Sequence, residues 1–237
     1  MTNYFSATRH PWACLLFLVP LLAAYEGGML WLGGDQAAQL RNGADTWFRW
    51  GLELFGAAHV LAAPVVVLLV MLLWSWWRWS DRPRDPITTF FGIAFESCIF
   101  AFLLWQFSRN FGLILDGLGV KLQVTVLTPT QSQRILAFIG AGIYEEVLFR
   151  LGLFIGLYCI MRVVMMPMPV AVLLAAFASA LAFAAAHHIG PYGEPVRADW
   201  FIFRTCAGLY FTILFVVRGF GIAVGAHVGY DILVGVN

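Results

Sequence analysis

Stretches of about 20 apolar residues recur along the chain, at 12–33, 55–77, 88–114, 133–162, 168–188, 199–217 and 220–236. Each is long enough to cross a hydrocarbon core of roughly 30 Å. In lipid the backbone must satisfy its own hydrogen bonds, which leaves helices and closed barrels as spanning structures. The runs are continuously apolar and do not alternate, so helices are expected. The residues are 61% hydrophobic and 11% charged, whereas about a quarter of the residues of a soluble domain are charged. The expected fold is an all-α, polytopic transmembrane bundle of about seven spans, within a range of six to eight.

The polar links are too short to hold a soluble domain. The link 34–49 carries Asp35, Arg41, Asp45 and Arg49, and Trp74, Trp76, Trp77 and Trp79 close the second span as rings suited to the interface. The longest link, 115–132, mixes polar and β-branched residues and reads as an interfacial or re-entrant piece. Arg9 ahead of the first apolar run imitates a signal peptide, but the length of that run makes it a retained span. One integral membrane domain over 1–237 is expected, with 1–132 carrying little beyond hydrophobicity and 133–237 carrying the chemistry. Lysine and arginine are nearly balanced between alternate loops, which leaves the orientation open. A multi-pass protein of the plasma (inner) membrane is expected.

A net charge of +1 gives no basic field for nucleic acid. Cys14, Cys98, Cys159 and Cys206 stand singly, without the spacing of a zinc or redox motif, and read as small apolar fillers. His59, Glu26 and Glu96 read as interior residues, the two acids bracing neighbouring helices. His188 reads as a loop-edge residue.

Ionisable groups inside spans are costly and usually face the bundle interior. Three clusters stand out. In Glu145-Glu146-x-x-x-Arg150 the second acid and the arginine are i,i+4 in the favoured orientation for an ion pair. That pairing leaves Glu145 free as a base. Its face also carries Gly142, Phe149, Gly152 and Gly156, small residues that admit a neighbouring helix. In the second cluster Phe183 and His187 share a face, and in the third His227 and Asp231 do. Gly221, Gly225 and Gly229 form a separate packing stripe.

Peptide hydrolysis needs a base beside water, a donor to the tetrahedral oxygen and a proton for the leaving amine. One glutamate and two histidines supply all three. Glu145, His187 and His227 could equally hold zinc with an open position. Neither GxSxG nor HExxH is present. The rival from another class is a non-proteolytic protein, either a proton- or metal-coupled transporter or an immunity or scaffold factor. A transporter would favour internal repeats, and none is seen.

In order and spacing, "EEVLFR", "FAAAH" and "HVGYD" resemble the EExxxR, FxxxH and Hxxx(N/D) motifs of the CPBP family. Its members are the CAAX-processing and bacteriocin-processing intramembrane endopeptidases, also called the Abi family. The resemblance spans roughly residues 140 to 231. It implies an intramembrane endopeptidase acting on a membrane-anchored protein or peptide in the bilayer, with Glu145 as general base on water, assisted by His187. It further implies that His227 and Asp231 stabilise the oxyanion, that Glu146 and Arg150 hold their helix, and that Phe183 walls the cleft. It favours a glutamic mechanism without a metal cofactor. Asp231 departs from the Asn of some relatives.

Overall fold

The computed structural model describes residues 4–33, 41–117, 131–190 and 193–236. Ten α-helices are present among the described residues: α1 Tyr4–Thr8, α2 Pro11–Gly33, α3 Gly43–Glu53, α4 Ala62–Trp77, α5 Pro86–Gly117, α6 Gln131–Glu146, α7 Ile155–Val163, α8 Met168–Ala186, α9 Ala198–Arg218 and α10 Phe220–Val236. A π-helical segment, Val147–Phe154, joins α6 to α7. All seven expected spans are helical, and the protein is a polytopic helical membrane protein. By length and composition Pro11–Leu32, Pro86–Phe111, Met168–Ala186 and Ala198–Arg218 can each cross a membrane, and Ala62–Trp77 and Phe220–Gly235 are shorter apolar helices. Most of the 115–132 link lies outside the described residues.

The second span begins later than the apolar run suggests. α3 gives way to a turn in which Gly56 adopts φ 82°, and α4 starts only at Ala62. His59 therefore sits exposed in that turn, its Nδ1 accepting from the Leu61 N–H at 3.1 Å, and is not an interior residue. Cys98 and Cys159 are also exposed, so only Cys14 fits the expectation of a buried filler.

Hydrocarbon tails are as apolar as leucine, so close backbone approach and polar contacts must hold such a bundle together. α10 supplies the approach. Its Gly221, Gly225 and Gly229 face α2 and α5, where a Cβ on Gly229 would fall 2.9 Å from Ala101 Cβ. On α6, a Cβ at Gly142 would fall 2.8 Å from the Val228 nitrogen, which brings α6 and α10 into contact one turn from Glu145 and Glu146. Gly152 and Gly156 serve no such role, since no neighbouring helix lies within 4 Å of a Cβ built on either. The π segment that contains Gly152 rotates this side away from the face expected of an unbroken α-helix. Gly219, with φ 104°, reverses the chain between α9 and α10 in one residue and donates its N–H to Leu214 and Phe215.

The 34–49 link contributes an amphipathic helix as well as a connection. α3 is anchored by a buried quartet of charges in which Arg41 meets Glu26 at 2.8 Å and Asp45 at 2.6 Å, while Arg49 meets the same two acids at 2.8 and 2.6 Å. Tyr25 donates to Asp45 at 2.8 Å, and Tyr144 donates to Glu26 at 2.7 Å. Buried charges are tolerated when paired and hydrogen-bonded, and this network satisfies both acids. It also fixes Tyr144, the residue immediately before Glu145. Glu96 braces in the same manner through two contacts with Arg218, at 2.7 and 2.8 Å.

Candidate active site

Glu145 and Glu146 end α6, Arg150 lies in the π segment, Phe183 and His187 close α8, and His227 and Asp231 project from α10. The structure brings all seven together in two layers. The inner layer is sealed, with Glu146 and Arg150 fully buried. Glu146 Oε2 lies 3.1 Å from Arg150 Nε, a Coulombic contact whose N–H is not aimed at the oxygen. The other Glu146 oxygen lies 2.8 Å from His227 Nδ1. Arg150 also donates to the Gly208 carbonyl at 3.1 Å, and its guanidinium sits 4.8 Å from the Phe183 ring centre and 5.6 Å from that of Phe211. Such cation–π contacts suit a desolvated arginine.

The π segment supports this arrangement. Its backbone bond from Ile155 N–H to Arg150 C=O spans five residues, and π turns inside α-helices occur frequently at functional sites. The Phe149 carbonyl meanwhile accepts from Ser179 Oγ on α8 at 2.6 Å, tying the segment to the helix that carries His187.

Removing one partner of a buried pair leaves an uncompensated charge and typically costs about 3–5 kcal/mol. Arg150→Ala is expected to lower thermal stability in detergent by an amount in that range and to lower activity with it. Equal melting of variant and wild type would show that the pair does not brace the bundle.

The outer layer is partly accessible, with side chains of Glu145, His187 and Asp231 exposed by 14%, 25% and 20%. Glu145 Oε2 lies 3.8 Å from His187 Nε2 and 3.8 Å from His227 Nε2. Asp231 Oδ2 lies 3.7 Å from the same His227 Nε2. These gaps exceed direct hydrogen-bond distance and suit a bridging water. Glu145 Oε2 itself is buried and has no hydrogen-bond partner among the described residues.

The partners of the remaining ring nitrogens assign the tautomers. His187 Nδ1 lies 2.8 Å from the Phe183 carbonyl, which can only accept, so Nδ1 carries the proton and Nε2 faces Glu145. His227 Nδ1 donates to Glu146, and its Nε2 likewise faces the outer layer. Phe211 stacks on the His227 ring at 4.4 Å with 12° between planes, holding it in place.

A cavity of about 470 Å³ opens on this layer, lined by Glu145, His187, His227 and Asp231 together with Phe111, Phe183, Trp200, Phe203, Phe211 and Tyr230. A second cavity of about 220 Å³ shares Glu145, His187 and Glu194 and extends beneath α3 at Gly43, Ala44, Thr46 and Trp47. Glu145 therefore stands between two spaces. Among the described residues, no group of three or more His, Cys, Asp or Glu side chains has metal-holding geometry.

His188 keeps to the loop edge, its Nδ1 bonded to the Glu194 carbonyl at 3.0 Å. Arg204 and Phe211 escaped the sequence reading. Arg204, a charge within the sixth span, offered the same kind of signal as the three motifs, whereas a stacking phenylalanine offers none in a chain this aromatic.

Residues 130–233 match the family described as type II CAAX prenyl endopeptidase, Rce1-like. No curated protein and no solved structure matches the chain.

Proposed function

We propose, on the premise that residues 130–233 belong to the CPBP family of intramembrane endopeptidases, that the protein hydrolyses a peptide bond in a membrane-anchored protein or peptide by a glutamic mechanism. We take its location to be the plasma (inner) membrane, for which the apolar helices give support as far as an integral membrane protein. One observation carries the reading. A buried carboxylate oxygen of Glu145, without a hydrogen-bond partner among the described residues, lies 3.8 Å from the Nε2 atoms of two histidines, at the wall of a cavity of about 470 Å³.

Glu145 Oε2 takes a proton from a water held in those gaps, and the water oxygen adds to the scissile carbonyl carbon. His187, with its Nδ1–H fixed on Phe183, positions that water through Nε2. His227, held by Glu146, presents Nε2 to the tetrahedral oxygen, and when protonated at both nitrogens it donates there. Asp231 borders the same position. As the C–N bond breaks, the proton taken by Glu145 passes to the leaving amine. Zinc would have to use Glu145, His187 and His227, and the metal-free reading is preferred over it on the resemblance of the three motifs to the CPBP family.

The test is incubation of the purified protein with membrane-anchored peptides in water labelled with heavy oxygen, with and without a strong chelator. Cleavage with one heavy oxygen in the new carboxylate, unaffected by chelation, is the expected result. Activity lost to chelator and restored by zinc alone would overturn the metal-free mechanism. Absence of cleavage across a panel of anchored peptides would overturn the peptidase reading.

A further inference from the structure

Two cavities meet at Glu145, and the groups of the proposed site divide between them unequally. Glu145 and His187 line both. Among the described residues, His227 and Asp231 line only the larger. The base and the histidine that positions water thus border two spaces, whereas the groups assigned to the oxyanion border one. The smaller cavity, of about 220 Å³, runs beneath α3 and the turn that follows α8, and its lining residues Gly43, Thr46, Ile189 and Gly190 are exposed. Both segments are links between spans. Links run over the surface, so this rim lies at an end of the bundle where the spans meet water.

From this division we infer that the smaller cavity supplies the water that the reaction consumes, on a side of Glu145 that the substrate leaves free. The inference rests on the peptidase reading above. Hydrolysis removes one water at each turnover, and a peptide seated in the larger cavity against His227 and Asp231 displaces the water there. Replacement must then come from another side. The smaller cavity has room for several waters, each of which takes about 30 Å³ of liquid and needs a few polar partners. Glu145, His187, Thr46 and Glu194 line it and offer such partners. The 3.8 Å gap between Glu145 Oε2 and His187 Nε2 separates two residues that both border this space, so a water arriving through it meets the base directly. The scissile carbonyl approaches from the larger cavity, where His227 and Asp231 stand. Nucleophile and substrate therefore arrive by separate routes.

The experiment reads water first and turnover second. Hydroxyl radicals made from water by X-ray pulses oxidise the side chains beside it, and the Glu145→Gln protein is compared free and with a saturating membrane-anchored peptide. Phe149 is buried and lines only the smaller cavity, while Trp200 and Phe203 line only the larger. Bound peptide should strongly reduce oxidation of Trp200 and Phe203 and leave that of Phe149 unchanged. Loss at Phe149 as well would make the smaller cavity a seat for the peptide, and a Phe149 that is never oxidised would make it dry; either overturns the inference. If no peptide protects the larger cavity, the peptidase reading falls and the inference with it. The rim is then plugged. A Cβ on Gly43 meets nothing within 4 Å, so a large side chain is admitted there, and Thr46→Trp plugs from a second exposed position. Gly43→Trp should reduce Phe149 oxidation and lower kcat by about tenfold at an unchanged KM, with Gly43→Ala matching the wild type. Wild-type kcat in a variant whose Phe149 is protected overturns the supply role, as does a raised KM or a shifted cleavage position. Undiminished Phe149 oxidation in both tryptophan variants overturns entry from the α3 side. Phe149 oxidised beside a bound peptide that the wild type does not cleave overturns the peptidase reading alone, and leaves a hydrated cavity at residue 145.

Discussion

Glu145→Gln is expected to lower peptide turnover by about 10³-fold while leaving thermal unfolding in detergent unchanged. The rate loss follows from the role, since a positioned general base contributes about 10²–10⁴ and an amide of the same shape cannot take the proton from water. The unchanged stability follows from the geometry. Glu145 Oε2 has no hydrogen-bond partner among the described residues, and its nearest cationic candidates stand 3.8 Å away. Glu146→Gln offers the contrast. Its carboxylate holds both Arg150 and His227 in the sealed layer, so that variant should lose stability together with activity. The adjacent acids therefore separate in a two-axis measurement of rate against melting. Turnover by Glu145→Gln within about tenfold of wild type would remove Glu145 from the role of base, since that loss lies below the range of general base catalysis.

How far the site was legible in the sequence depends on how far each residue's cost is local. Lipid makes every interior charge expensive, so Glu145, Glu146, Arg150, His187, His227 and Asp231 stood out as soon as the spans were drawn. Their helical spacing fixed which side chains shared a face, and the structure brings them to one place. The π segment could not be read, because a shift of the backbone bond from four residues to five leaves no trace in composition. For that reason Gly152 and Gly156 were expected to pack against a helix and do not. α3 was hidden for a different reason. Asp45 and Arg49 look like loop charges until Glu26, distant in sequence, folds against them. His59 was misplaced because the apolar run continues across a turn that Gly56 makes.

Asp231→Ala should lower turnover by about 10²–10³, the usual cost of losing one group that stabilises an oxyanion, whereas Asp231→Asn should remain within about tenfold of wild type. Asp231 Oδ2 lies 3.7 Å from His227 Nε2, and its side chain is 20% exposed at the cavity. It thus borders the position where the tetrahedral oxygen would form without being locked into the sealed layer. An ionised carboxylate there would repel the oxyanion, while a protonated acid or an amide donates to it. Asparagine preserves the size and makes that donor permanent. Its activity should accordingly vary less with pH than that of the wild type, because a titrating group has been replaced by one that does not titrate. If Asp231 must instead be ionised, to orient a doubly protonated His227, asparagine fails nearly as badly as alanine, because an amide cannot supply the negative charge. Turnover of both variants and the wild type on one substrate across pH distinguishes the two roles. Equal and severe losses in the two variants would eliminate the donor role and leave Asp231 as the group that orients His227.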